Sequence, residues 1–166
     1  LPKEDKVFKE LIDSCDGMII LVATKHGQSY EEVYLKMAKR VSLALKDRQA
    51  PFYLLYTSST SVCEGQNEWV TEDEIFCPKS EDAKILLEAE SYYLNCNAST
   101  CVLRLGGIYG PKRELLERAK RFSGKKMNSS GEESTNHIHL EDVIAAILFC
   151  LDRFLTGIYH LVNDDH

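Results

Sequence analysis

Short apolar runs alternate with longer amphipathic runs along this chain of 166 residues. Gly17 to Ala23 is continuously apolar, which is typical of a parallel strand buried on both faces, so we predict a central strand there. Phe52 to Tyr56 and Thr100 to Leu105 predict the second and third strands. Tyr30 to Leu45 and Ser80 to Leu94 carry apolar residues at helical spacing, and the latter opens on a serine N-cap. This alternation predicts an α/β fold with a doubly wound parallel sheet.

The regular pattern loosens in the carboxyl-terminal third of the chain. We predict a short polar helix at Glu114 to Arg121, a polar loop at Gly124 to Ser134 and a brief strand at His137 to Leu140. An apolar helix at Asp142 to Phe154 and a last strand at Ile158 to Val162 follow. We expect a small cap region there. At the other end, Leu1 to Cys15 is charged with apolar residues on one side and predicts a helix before the first strand.

Composition and charge exclude several classes of protein. The chain is 44% hydrophobic and 28% charged, as expected of a soluble globular protein, and its net charge of −6 without a basic stripe argues against nucleic-acid binding. Its longest apolar run, Val143 to Leu151, is too short to span a membrane. The six cysteines are scattered without a Cys-x-x-Cys pair, which predicts reduced thiols and a location in the cytoplasm or another reducing compartment. If that compartment is an organelle, we expect that a targeting segment has been removed.

A row of small hydroxyl residues follows the second predicted strand, in the sequence YTSSTSV from Tyr56 to Val62. Ligands of open α/β sheets bind beyond the carboxyl ends of the strands, so this row is a candidate site. The alternative is a Ser/Thr-rich turn that caps the next element.

Four motifs together resemble a known family. YTSSTSV is followed by LRLGGIYGP at Leu103 to Pro111, HIHLEDVIAAI at His137 to Ile147 and GIYHLVNDD at Gly157 to Asp165. In this order they resemble the extended short-chain dehydrogenase/reductases, the NAD-dependent epimerase/dehydratase family, and particularly its atypical bacterial-type oxidoreductase members. The resemblance implies a Rossmann-like sheet and NAD or NADP as cofactor. By this resemblance, residues 1–166 form a single unit. Residues 1–111 would be what remains of a dinucleotide-binding domain, and residues 112–166 would be a mixed cap region with the last helix and strand.

The resemblance also implies roles for individual residues. Ser59 is the catalytic candidate, because the family's Ser or Thr at this position hydrogen-bonds the reacting oxygen. The implied cofactor contacts at the ends of three strands are Val22, Ala23, Thr24, Thr57, Ser58, Leu105, Gly106, Gly107 and Ile108.

Two departures from the family pattern limit this expectation. The family uses a Tyr and, four residues later, a Lys whose cation lowers the Tyr pKa. Alignment on Ala89-Glu90 puts Asp82 and Leu86 at those two positions, and we expect the nearby Tyr93 to be a core aromatic and Lys84 a solvated helix residue. Gly107 stands where sugar-nucleotide epimerases usually have an Asn that contacts substrate.

The amino-terminal part lacks the Gly-rich turn that opens a dinucleotide domain. We therefore expect a fragment or truncated form of a longer enzyme, with an exposed sheet edge that favours homo-oligomers or pairing with another chain. His137-x-His139 could supply two metal ligands, but a structural role is favoured and no metal is expected. The interpretation is an NAD(P)-binding oxidoreductase or epimerase/dehydratase-like protein with an unidentified small-molecule substrate. The alternative is a non-catalytic nucleotide-sensing or scaffolding protein of the same fold.

Overall fold

The computed structural model describes residues 3–65, 69–124 and 135–164. Its strands are β1 (Gly17–Ile20), β2 (Tyr53–Ser59), β3 (Ser99–Leu105), β4 (Gly107–Tyr109), β5 (His137–His139) and β6 (Gly157–Leu161). The main sheet is entirely parallel, in the order β1-β2-β3-β6, and β4 and β5 form a separate parallel pair. The predicted α/β fold with a parallel, Rossmann-like sheet is confirmed.

Helices connect the strands and cover both faces of the sheet. They are α1 (Lys3–Asp13), α2 (Lys36–Leu45), α3 (Glu81–Leu94), α4 (Leu115–Phe122) and α5 (Leu140–Arg153). A π-helical turn, Glu31–Leu35, leads into α2, and a 3-10 turn, Thr60–Cys63, follows β2. The predicted cap of α3 is present, because the Ser80 side chain accepts a hydrogen bond from the Ala83 N–H. Within the described ranges, no helix has the length and apolar character needed to cross a membrane.

Two hydrophobic cores lie on opposite sides of the sheet because successive strand residues point to opposite faces. Leu54, Tyr56 and Val102 face α1, α2 and α3, where they pack with residues such as Val41 and Tyr93. The alternate strand residues, together with α5, form the other core: Tyr53, Leu55, Cys101, Leu103, Val143 and Cys150. Helices on both faces explain why β2 and β3 are nearly continuous apolar runs.

The first strand differs from its prediction. It ends at Ile20 instead of Ala23, and in the described part of the sheet it lies at the edge, paired only with β2. Ile20 is buried, but Ile19 is 42% exposed and Leu21 is 62% exposed. Apolar side chains on one face of this segment therefore remain exposed, because the described residues cover only the other face of β1.

The second strand is longer than predicted. Its pairing with β3 continues from Tyr53 to Ser59, so Thr57 and Ser58 lie inside the strand and Ser59 is its last residue. The hydroxyl groups do not interrupt the ladder, because the backbone alone supplies its hydrogen bonds.

A buried ion pair joins β3 to α3. Arg104 and Glu90 are only 3% and 2% exposed, and the guanidinium Nη2 donates to Glu90 Oε2 at 2.8 Å while Nε donates to Oε1 at 3.1 Å. Glu90 shares the buried face of α3 with Leu86, Ala89 and Tyr93, which are spaced at three and four residues. An isolated charge at either position would carry a large desolvation cost, so each residue requires the other.

The same arginine holds a loop against the end of the sheet. Its guanidinium lies 5.2 Å from the ring centre of Phe76, and Nη1 lies 3.3 Å from Nε2 of His160 on β6. Glu72 of the same loop accepts a hydrogen bond from the His160 backbone N–H at 2.8 Å. Since arginine only donates, Nε2 of His160 is an acceptor and the ring is neutral. Burial is the main cause that lowers the pKa of His160.

Replacement of Glu90 by Ala should strongly destabilise the fold, because it leaves the Arg104 charge buried without a counter-charge. We expect the free energy of unfolding, measured by urea denaturation, to fall by about 3–5 kcal/mol. Glu81→Ala is the control: it breaks an exposed pair on the same helix, with Lys84 Nζ at 2.5 Å, and should change the stability by less than about 1 kcal/mol. Equal effects of the two substitutions would contradict the role assigned to the buried pair.

Acidification should destabilise the fold through His160. Its folded-state pKa is lower than the unfolded value near 6.5, so the unfolded chain binds more protons and stability is lost as the pH falls below about 6.5. The free energy of unfolding should fall from pH 7 to pH 5.5 with a slope of at most about 1.4 kcal/mol per pH unit from this residue. His160→Gln keeps an acceptor for Arg104 and should remove this contribution; an unchanged pH profile in that variant would refute it.

Candidate functional site

The carboxyl ends of three strands lie side by side at one edge of the sheet. The strand register places Ser59 of β2 next to Leu105 of β3, and Leu105 next to Leu161 of β6. The Gly106 N–H donates to the Leu161 carbonyl at 3.0 Å and extends this alignment by one residue. Residues from separate parts of the sequence are thus brought together, as expected for parallel strands. We call this the carboxyl edge.

The predicted contacts after β1 lie in an irregular segment at the carboxyl edge. Val22 is half-buried and packs against the core on the α2 side, Thr24 is half-buried, and Ala23 is exposed. Thr57 connects the ends of β1 and β2, because its Oγ1 donates to the Ile20 carbonyl at 3.4 Å. Of these four residues, Ala23 is the one whose side chain is open to solvent.

Ser59 caps the 3-10 turn that follows β2. Its Oγ accepts a hydrogen bond from the Ser61 N–H at 3.2 Å, and the side chain is half-buried. The capping role that sequence offered as the alternative is therefore present. A serine hydroxyl has two acceptor lone pairs and one proton, so capping fixes the position of Oγ and leaves the proton available to donate.

Ser58 points to the opposite face from Ser59. It is 7% exposed, and its Oγ has no hydrogen-bond partner among the described residues. A buried hydroxyl without a partner carries a desolvation cost, and the Tyr56 hydroxyl on the same strand also has no partner among the described residues.

The glycines after β3 closely approach another part of the chain. A Cβ added to Gly106 would lie 3.0 Å from the backbone of Asn136, and one added to Gly107 would lie 3.3 Å from the imidazole of His137. Leu105 is buried and Ile108 packs against the same core on the α5 side. The pairing of β4 with β5 thus leaves little room for a side chain at either glycine.

The positions aligned with the family's Tyr and Lys carry neither group. Asp82 is exposed in the first turn of α3, and Leu86 is buried. Tyr93 is a core aromatic, as predicted, because it is fully buried with its ring centre 4.5 Å from that of Tyr56. Lys84 is exposed and paired with a neighbouring glutamate, also as predicted.

Cys63 and His160 resemble a nucleophile and its base, but the thiol is not activated. Cys63 Sγ lies 3.8 Å from His160 Nε2. Burial raises the pKa of the Cys63 thiol to about 11, so it is protonated at neutral pH. All six cysteines are free, and the described residues contain no group of three or more His, Cys, Asp or Glu side chains arranged to hold a metal ion.

Sequence reasoning missed the buried ion pair beside the carboxyl edge. The signal was present, because an arginine within the apolar run TCVLRL needs a counter-charge, and Glu90 lies on the apolar face of α3. His160 gave no comparable signal, since a histidine in a strand has many partners to choose from.

No protein-family model matches the sequence, but individual relatives do. The chain is 30% identical to protein YeeZ of Escherichia coli over 153 residues, which are 91% of this chain and 54% of YeeZ. It is also 30% identical to methionine adenosyltransferase 2 subunit beta of Rattus norvegicus over 120 residues, or 36% of that protein. The chain thus spans about half or less of the length of these relatives.

Two of the solved structures with a similar fold are larger enzymes. A UDP-glucuronic acid 4-epimerase of Bacillus cereus, in complex with UDP-glucuronic acid and NAD, superposes with a TM-score of 0.76 at 18% identity, over 95% of this chain and 57% of the enzyme. A dTDP-glucose 4,6-dehydratase of Bacillus anthracis, in complex with NAD, gives 0.74 at 17% identity, over 97% of this chain and 56% of the enzyme. This chain therefore has the Rossmann-like fold of the NAD-dependent epimerases and dehydratases, and its resemblance to the extended short-chain dehydrogenase/reductases is confirmed.

Proposed function

We propose that this chain is part of an epimerase/dehydratase-like protein that binds NAD or NADP across the carboxyl edge. The observation that carries the proposal is the alignment of Ser59 with Leu105, which brings the hydroxyl row of β2 next to Gly106 and Gly107. The structural neighbours described above contain NAD in folds of the same type. Binding at strand ends is the general rule for open parallel sheets.

The residues at the carboxyl edge fit a dinucleotide. Thr57 and Ser59 offer hydroxyls at the end of β2, and the buried Ser58 Oγ lacks a partner among the described residues. Ala23 is exposed and has only a methyl side chain, so a flat ligand can approach the backbone there. When bound, the nicotinamide would supply a hydride acceptor or donor.

Ser59 is proposed to hydrogen-bond the reacting oxygen of the substrate. Its Oγ is fixed by the Ser61 N–H, and its proton remains available for donation. A donor held in place in this way stabilises negative charge on an oxygen without reorganisation during the reaction. Contacts with the adenine ribose and the diphosphate are proposed for Val22, Ala23 and Thr24, and contacts with the nicotinamide ribose for Thr57 and Ser58. Contacts with the nicotinamide are proposed for Leu105, Gly106, Gly107 and Ile108.

A negative charge at the carboxyl edge should weaken dinucleotide binding. Ala23→Glu places a carboxylate near the proposed position of the diphosphate, and repulsion of about 1–2 kcal/mol corresponds to about tenfold weaker binding. The measurement is a titration of NADH and of NADPH followed by nicotinamide fluorescence. Ala50→Glu is the matched control, because Ala50 is also exposed but precedes β2 at the opposite end of the sheet. An equal loss in both variants would count against binding at this edge.

Removal of the Ser59 hydroxyl should reduce turnover more than cofactor affinity. In a panel of carbonyl compounds and sugar nucleotides, we expect Ser59→Ala to lower kcat about 100-fold for whichever substrate is converted, with the Kd for NADH unchanged. Ser61→Ala is the control, since Ser61 is exposed and its capping contribution comes from the backbone. NADH binding without turnover of any substrate would favour a non-catalytic sensor, and unchanged kcat in Ser59→Ala would refute the catalytic role.

A further inference from the structure

His137 is held between the ends of two strands of the main sheet. It pairs with Gly107, two residues after the end of β3, and its carbonyl accepts a hydrogen bond at 2.7 Å from the N–H of Asn163, which follows β6. The preceding residue, Asn136, accepts a hydrogen bond from the Gly107 N–H at 2.8 Å. The backbone of His137 is therefore fixed on both sides at the carboxyl edge.

The imidazole of His137 occupies the space that a side chain at position 107 would need. A Cβ on Gly107 would lie 3.3 Å from Cδ2 and 3.7 Å from Nε2 of the ring. The ring therefore packs over the bare α-carbon of Gly107. This places the Nε2 side of the ring close to the backbone segment proposed to contact the nicotinamide.

The ring nitrogens of His137 have no hydrogen-bond partner in the described part of the chain, although the side chain is half-buried. The other two histidines on β5 and β6 differ in this respect. Nδ1 of His139 accepts a hydrogen bond from the Glu141 N–H at 3.3 Å and caps α5, and Nε2 of His160 faces Arg104. The ring of Tyr109 lies edge-on to the His137 ring, with its centre 6.4 Å away at an angle of 78°.

We propose that His137 hydrogen-bonds the carboxamide group of the nicotinamide. This assignment rests on the proposed function. A carboxamide has one acceptor oxygen and a donor NH2 group, and a neutral imidazole has one donor and one acceptor nitrogen. The two groups are complementary for either tautomer of the ring. Because Gly107 has no side chain, the His137 ring can lie against its α-carbon. The position of the ring therefore depends on the glycine.

The test compares NADH with ADP-ribose, which has the same dinucleotide frame without the nicotinamide. Both dissociation constants are measured by calorimetry on the unaltered chain and on two variants. His137→Phe keeps a flat ring but removes both nitrogens, and Gly107→Ala adds a methyl group that presses on the ring and shifts its nitrogens. We expect each variant to bind NADH about tenfold more weakly, the equivalent of one hydrogen bond, and to bind ADP-ribose unchanged.

The control is His139→Asn, which removes the other imidazole of β5 and keeps a good helix N-cap. It should bind both ligands as the unaltered chain does. Unchanged NADH binding in His137→Phe would overturn the assignment, as would an equal loss for ADP-ribose, which would indicate a general disturbance of the edge. If the unaltered chain binds neither ligand, the proposed function fails and this assignment fails with it. If each variant binds NADH and ADP-ribose with the same affinities as the unaltered chain, the assignment alone fails.

Discussion

The parallel pairing of β2 with β3 is the constraint on which the candidate site depends. It is unbroken from Tyr53 opposite Ser99 to Ser59 opposite Leu105, and it fixes which residues meet at the carboxyl edge. The register is itself determined by packing, because Leu54 and Leu55 are both fully buried on opposite faces of the sheet. A slip of one residue would exchange the two faces and turn the Ser59 side chain to the other side. The geometry of the site therefore follows from the core.

The buried pair of Arg104 and Glu90 acts on the same strand end from the α3 side. Its charges are compensated by each other, so a uniquely positioned α3 is required for either residue to be tolerated. The pair also determines what α3 can contribute to chemistry. The buried face of the helix is occupied by Leu86, Glu90 and Tyr93. Glu90 is engaged in the ion pair, and the Tyr93 ring packs against Tyr56 inside the protein. Proton transfer at the carboxyl edge would thus need groups from other elements.

Hydrophobic patterning was sufficient to predict most elements of the fold, because the buried strands and amphipathic helices differ in period and length. It failed for Gly17 to Ala23, where an apolar run indicates strong potential for burial but does not state how many neighbours the strand has. The positions of the hydroxyl row and of Gly106 and Gly107 at one edge could be predicted from parallel topology. Side-chain direction and long-range partners could not: Ser58 and Ser59 point to opposite faces, and the partner of Arg104 lies 14 residues away on another element.

The three histidines of β5 and β6 show how local partners separate structural from chemical roles. Residue type and burial do not distinguish these histidines, because His137, His139 and His160 are all half-buried. Their ring nitrogens differ, because one histidine caps a helix, one faces a buried arginine, and one lies over a glycine with its nitrogens unpaired among the described residues. An acceptor already engaged by a backbone N–H or a guanidinium is satisfied within the fold, whereas an unpaired nitrogen is available to exchange its water for a ligand group. By this criterion, the Ser58 hydroxyl, the Ser59 proton and the His137 ring are polar groups at the carboxyl edge with hydrogen-bonding capacity that the described residues do not use. They come from β2 and β5 rather than from the helix that carries the Tyr and Lys in the family.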